Sequence, residues 1–66
     1  MLLEERHEYI LKKIQETGFV RVSELAEELS VTTRTVRRDL EMLEDEGLLK
    51  RTHGGARWIG ARHTRD

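Results

Sequence analysis

The sequence contains no cysteine, so neither a disulfide framework nor a thiolate metal site is open to it. No apolar run approaches the ~20 residues of a membrane span, and the N-terminus carries Glu4 and Glu5 instead of a cationic leader. The expectation is a soluble, cytosol-compatible domain with no membrane partner. Phosphate-cradling glycine loops and dinucleotide fingerprints are absent, as is any His/Cys metal set. Ser23 and Ser30 lack the flanking pattern of a nucleophile. No enzyme, cofactor or metal is expected. A protein-interaction module would need an exposed apolar patch on the third helix or the hairpin. Only Met42 and Trp58 offer a docking patch there, which argues against a protein-interaction module.

What is present is a single small domain. A chain of 66 residues buries only about 60% of its unfolded surface, so its stability is modest. Charged residues make up 38%, yet Leu, Ile and Val recur at helical spacing, which argues for a packed core over disorder. The net charge of −1 hides a strong segregation. Residues 1–30 sum to −3, 31–40 to +2, 41–48 to −4 and 49–66 to +4. A nucleic-acid binder needs a basic face, not a basic total, and two basic segments flank an acidic one here.

A first helix is expected over about Leu3–Thr17, with Leu3, His7, Ile10, Leu11 and Ile14 on one stripe and Gly18 as its stop. Glu8 and Lys12 form an i, i+4 pair. His7 reads as a helix-flank histidine half covered by the core, since no second ligand completes a metal spacing. Phe19–Val22 is a short strand or extended segment. Ser23 then caps a second helix, about Glu24–Leu29, with Leu25, Ala26 and Leu29 inward. Ser30 and Val31 turn the chain. Thr32 caps a third helix, whose buried stripe is Val36, Leu40 and Leu43 and whose end is Gly47. From Leu48 the period changes. LLKRTH, Gly54-Gly55 and ARWI read as a hairpin with a two-residue primed turn at the glycines. That register sets Thr52 opposite Arg57 and Arg51 opposite Trp58, with the guanidinium over the indole.

The third helix carries its charges the wrong way round for stability. Arg34, Arg37 and Arg38 lie in its first half, and Glu44, Asp45 and Glu46 in its last turn. The helix dipole favours the reverse, by about 0.3–1 kcal/mol per charge in a terminal turn. The pair Arg37–Glu41 also has the weaker orientation. A helix whose first turns meet phosphates and base edges explains the pattern, with the acidic end pointing away from the duplex. Arg bonds guanine O6 and N7 bidentately, and Thr meets a phosphate or a thymine methyl. The contact candidates on this helix are Thr32, Thr33, Arg34, Thr35, Arg37 and Arg38. Thr33, Arg34 and Arg37 are assigned to bases and Arg38 to phosphate. Ser23 joins them from the second helix, and Lys50, Arg51, His53, Gly54, Gly55 and Arg57 from the hairpin, where the glycines permit close approach.

Arg6, Ile10 and Ile14 stand four residues apart, Thr32 follows after a spacer, and then comes Thr35-Val36-Arg37-Arg38-Asp39-Leu40. Gly47, Leu49, Arg51, His53, Gly54, Gly55 and Ala56 form a G-x-L-x-R-x-H-G-G-A run. In combination these resemble the N-terminal DNA-binding domain of the DeoR family of bacterial transcriptional regulators, over about residues 3–57. The resemblance implies a mainly α winged helix–turn–helix, three helices then a small β-hairpin, with a short strand before the second helix. The domain is expected at 1–59, its helix–turn–helix at about 20–39 and its wing at about 48–59, with 60–66 a flexible tail or linker start. It implies operator binding on double-stranded DNA in the bacterial cytoplasm, at the nucleoid, and most often repression of sugar-metabolism genes. Family members usually continue into a C-terminal domain that senses a phosphorylated sugar and oligomerises. The sequence in hand stops at Asp66, so those two properties are expected only with such a domain. Alone, a monomer or weak dimer is expected, pairing on DNA half-sites. Asp39 would repel a phosphate and is expected to be structural, paired with Arg51 or Arg6.

Overall fold

Three helices pack on a small sheet in the computed structural model, which describes residues 2–60. Helix α1 is Leu3–Thr17. The stripe read from the sequence buries Ile10 and Ile14 completely, half-buries His7 and Leu11, and leaves Leu3 exposed at its open end. The Glu5 carboxylate accepts from the Leu2 N–H at 2.9 Å, and the Gly18 N–H donates to the Ile14 carbonyl at 2.7 Å, closing the two ends. The Glu8–Lys12 pair does not form among the described residues. Lys13 instead bridges to Glu28 on the next helix, with the Tyr9 hydroxyl donating to the same carboxylate at 2.7 Å.

Strand β1 is Phe19–Arg21 and helix α2 is Val22–Leu29. The sequence reading started this helix two residues late, with Ser23 as its cap. In the structure Arg21 holds the cap position and Ser23 lies, exposed, inside the first turn. The reason is long-range. The Val22 N–H, which a side chain would otherwise have to satisfy, donates to the Gly54 carbonyl at 2.9 Å. Leu25, Ala26 and Leu29 are buried as expected. At the turn Ser30 has φ 58°, and Val31 and Ser30 donate back to the Ala26 and Glu27 carbonyls. This is a Schellman stop with serine in the left-handed position usually held by glycine.

Helix α3 is Thr33–Asp45. Thr32 caps it, its Oγ1 accepting from the Thr35 N–H at 3.2 Å. Val36, Leu40 and Leu43 are buried, and so is Asp39. Leu48 and Gly47 donate to the Leu43 and Glu44 carbonyls, so only Glu46 to Leu48 join α3 to strand β2, Leu49–Thr52.

Strand β3, Gly55–Trp58, runs between the other two in the order β1-β3-β2, antiparallel to both. The hairpin register differs from the one expected. Thr52 faces Gly55 and Leu49 faces Trp58, which moves the two-residue turn back to His53-Gly54. Only Gly54 there has positive φ, 79°, so the turn is not of the primed kind. Gly55 serves a different purpose. A Cβ on it would lie 2.1 Å from the Val20 carbonyl oxygen, so its lack of a side chain is what lets β1 pair with β3. The corrected register also separates Arg51 from Trp58. The latter is half-buried against the core. Of the expected tail 60–66, Gly60 donates to the Leu48 carbonyl at 2.8 Å, and 61–66 lie outside the described residues.

Candidate nucleic-acid interface

With its apolar stripe turned inward, α3 leaves a convex outer face. At about 100° per residue, Arg34 lies at its centre, Arg37 tilts toward β2 and Arg38 toward α1. All three guanidiniums are exposed and make no hydrogen bond or ion pair with any described residue. The expected Arg37–Glu41 pair is among those that do not form. Thr33 is exposed at the first position of the helix, and Thr35 is half-buried. The Thr32 hydroxyl is committed to the cap and donates to Thr35 Oγ1 at 3.1 Å.

Between α3 and the wing runs an open groove of about 550 Å³, lined by Arg37, Leu40 and Glu44 on one side and by Lys50 through Gly55 on the other. The structure therefore brings Arg37, Lys50, Arg51, His53 and the Gly54 backbone to one groove. Arg38 and Thr35 line a second groove on the α1 side, with Leu3, Arg6 and Met42. Arg57 shares the outer face of the sheet with Phe19 and Lys50, its neighbours across the strands. Gly55 is buried in β3 and not at the wing tip, where only His53 and Gly54 stand. Ser23 is exposed at the start of α2.

Two acids beside this surface have their charges taken up internally. Asp39 accepts from Arg6 Nε at 2.7 Å and from Arg6 Nη2 at 3.1 Å, and His7 Nε2 lies 3.2 Å from the same carboxylate. Of the two partners expected for Asp39, Arg6 is the one found. Its hydrogen bond to Asp39 raises the Arg6 pKa above its ordinary value. His7 is half-covered as expected, and this contact is the polar reason for its place on an apolar stripe. Arg51 is bound elsewhere. Its backbone N–H and its Nε donate to Glu44 at 3.1 and 3.0 Å. Those two bonds, the backbone one first, hold the Glu44 carboxyl below the ordinary glutamate range. The sequence reading grouped Glu44 with Asp45 and Glu46 as an end turned from the surface. Its seven-residue spacing from Arg37 places it on the same flank of the helix, which was the available signal.

The sequence model of the DeoR-like helix-turn-helix domain matches residues 6–62. The chain belongs to that family. Among the relatives of this DeoR-like domain is the lactose phosphotransferase system repressor of Streptococcus mutans, 54% identical over 57 residues, covering 86% of this chain and 23% of the repressor. The HTH-type transcriptional repressor CsqR of Escherichia coli is 49% identical over 51 residues, covering 77% of this chain and 20% of CsqR. An HTH-type regulator of Bacillus subtilis, YulB, is 50% identical over 56 residues, covering 85% and 22%. The chain thus spans about a fifth of the length of the curated relatives it matches. No solved structure matches it. The chain is a DeoR-like helix–turn–helix, as its sequence led one to expect, and the relatives it matches are named transcriptional repressors and regulators. No helix of the described residues is long and apolar enough to cross a membrane.

Proposed function

We propose that the domain is the operator-reading module of a bacterial transcriptional repressor of sugar-metabolism genes, acting at the nucleoid in the cytoplasm. The observation that carries this reading is the trio Arg34, Arg37 and Arg38, exposed in the first half of α3 and without a partner among the described residues. The dipole cost of that placement has no compensation among the described residues, and a duplex supplies one. The first turns of α3 enter the major groove. Thr33, Arg34 and Arg37 read base edges, while Arg38 and Thr35 hold the backbone on the α1 side. Thr32 acts through the cap, keeping the first turn formed. Lys50, His53 and Arg57 bring the wing to the flanking backbone, with Gly54 allowing close approach, and Ser23 meets a phosphate at the start of α2. The sugar-metabolism assignment is supported by the relatives' names, which include a lactose phosphotransferase system repressor.

A single recognition helix reads only a few base pairs, so useful specificity comes from two copies on paired half-sites. The free domain is a monomer or weak dimer. A sugar-phosphate effector and stable assembly belong to a further domain of the kind that the relatives' greater length accommodates. The test is selection from a pool of random duplexes at moderate salt. The expected result is an enriched motif, present twice at fixed spacing, with a log–log salt slope of about −4 to −5 for about five phosphate contacts. Retention without a motif would leave only backbone binding, and no retention at low salt would overturn the reading.

A further inference from the structure

Among the described residues, Glu44 is the one acid in the lining of a groove whose other charged side chains are Arg37, Lys50 and Arg51, with His53 beside them. An acid there repels phosphate, and on electrostatic grounds alone its removal would tighten DNA binding. The geometry gives it another task. Arg51 shares the inner face of the sheet with buried Leu49, and across the strands it faces Ala56, which in turn faces Val20. Its side chain therefore points toward α3 and not toward solvent at the wing tip. Glu44 receives both its backbone N–H and its Nε, across the three-residue connection between α3 and β2. One carboxylate thus fixes both the strand and the side chain of the wing's edge. The second tie, from the Val22 N–H to the Gly54 carbonyl, holds the other end of the wing to α2.

We infer that Glu44 is a positioning residue for DNA binding, clamping the wing through Arg51 so that Lys50, His53 and Gly54 stand at a set distance from Arg37. Arg51 is then the other half of the clamp and not a phosphate contact. The inference rests on the DNA-binding reading above. It reverses the sign expected for Glu44 and removes Arg51 from the contact surface.

The test is a double-mutant cycle on this chain with Glu44→Ala, Arg51→Met and their combination. Fluorescence anisotropy is read on a duplex recovered from the selection, or on a mixed-sequence duplex at low salt if no motif emerges. Glu44→Ala and Arg51→Met are each expected to weaken binding about three- to tenfold. The salt slope should become shallower by up to about 2, as the wing's two outer cations lose their phosphates. The double variant should be no worse than either single one. Hydroxyl-radical footprints should lose protection on the wing side alone. Glu44→Gln keeps an acceptor oxygen for Arg51 and should fall between the wild type and Glu44→Ala. It serves in its place if the alanine variant does not fold. Asp45→Asn, next in sequence and exposed, controls for charge and should bind as tightly as the wild type or more so. Glu44→Ala binding as well as the wild type, or better, with Arg51→Met adding an independent loss, overturns the inference while leaving DNA binding intact. A wild-type chain that binds no duplex overturns both.

Discussion

Each flank of α3 carries one acid–arginine pair, and the two pairs sit in different surroundings. On the α1 flank the side chains of Asp39 and Arg6 are 2% and 15% exposed; on the wing flank those of Glu44 and Arg51 are 27% and 44% exposed. In the first pair the carboxylate is out of water, and each ion needs the other. Such a pair adds little over an apolar contact, but losing half of it is expensive. It fixes how α1 crosses α3, hence how the arginine face is presented. In the second pair both groups keep water, screening is strong, and the stability gained is small. Its use lies in geometry. The same two chemical groups thus specify a helix packing in one place and tie the wing to the recognition helix in the other.

The comparison breaks most sharply at Asp39. Asp39→Ala leaves a half-buried guanidinium unpaired and is expected to cost about 3 kcal/mol. A domain of this size has on the order of 3–10 kcal/mol in total, so thermal melts should show a drop of ten degrees or more, or no folded state. Asp39→Asn should follow in a weaker form, its stability loss exceeding its affinity loss in a DNA titration. Lost affinity at an unchanged melting temperature would place Asp39 at the duplex instead.

On the wing flank, backbone packing matters more to stability than the ion pair does. Gly55→Ala forces β1 and β3 apart at Val20 and should cost about 1–3 kcal/mol in urea unfolding. Glu44→Ala should change stability much less. An equal loss from both would make the ion pair on this flank as important to stability as the backbone packing. Acid gives a gentler probe. The folded-state pKa of Glu44 is lowered, so its contribution is complete above the unfolded value and is lost as pH falls through the folded one. An NMR titration of its carboxyl should have a midpoint below that of an exposed glutamate, and Arg51→Met should raise the midpoint only part of the way, because the backbone N–H bond, the larger cause, remains. The smallest effect is expected between α2 and α3. Ser30→Gly relieves a left-handed serine but loosens the unfolded chain, so the stability change should be within about 1 kcal/mol.

The helices were legible because each carries its own instructions. Ile10 and Ile14, Leu25 and Leu29, and Val36, Leu40 and Leu43 mark the buried stripes, and Thr32 and Gly18 mark the ends. Asp39 was legible as structural because an acid beside those arginines would repel a phosphate. What escaped were features set by partners distant in sequence. The short strand at Phe19–Arg21 was expected, but its pairing with β3 was not, since that is decided by the lack of a Cβ on Gly55. Two adjacent glycines look alike in a sequence, yet one supplies a positive φ and the other room for a neighbouring carbonyl. The turn was therefore placed one residue late. Ser23 was a sound cap on local grounds and lost to the Gly54 carbonyl. Among the proposed contact residues, the arginines of α3 were singled out by their charge and their place in the helix, and the structure leaves all three exposed. The engagement of Arg51 by Glu44 was hidden, since it depends on the fold of the connection between them.

The hydrogen bond from Val22 to Gly54 has one more consequence. Amides in the first turn of a helix usually exchange with solvent deuterium quickly, because no helical carbonyl precedes them. Val22 is in that turn, yet its proton is held by the wing and by nothing in its own helix. Its exchange rate therefore measures the opening of the wing separately from unfolding of the helices. One resonance becomes a clock for the arm, to be read with and without DNA.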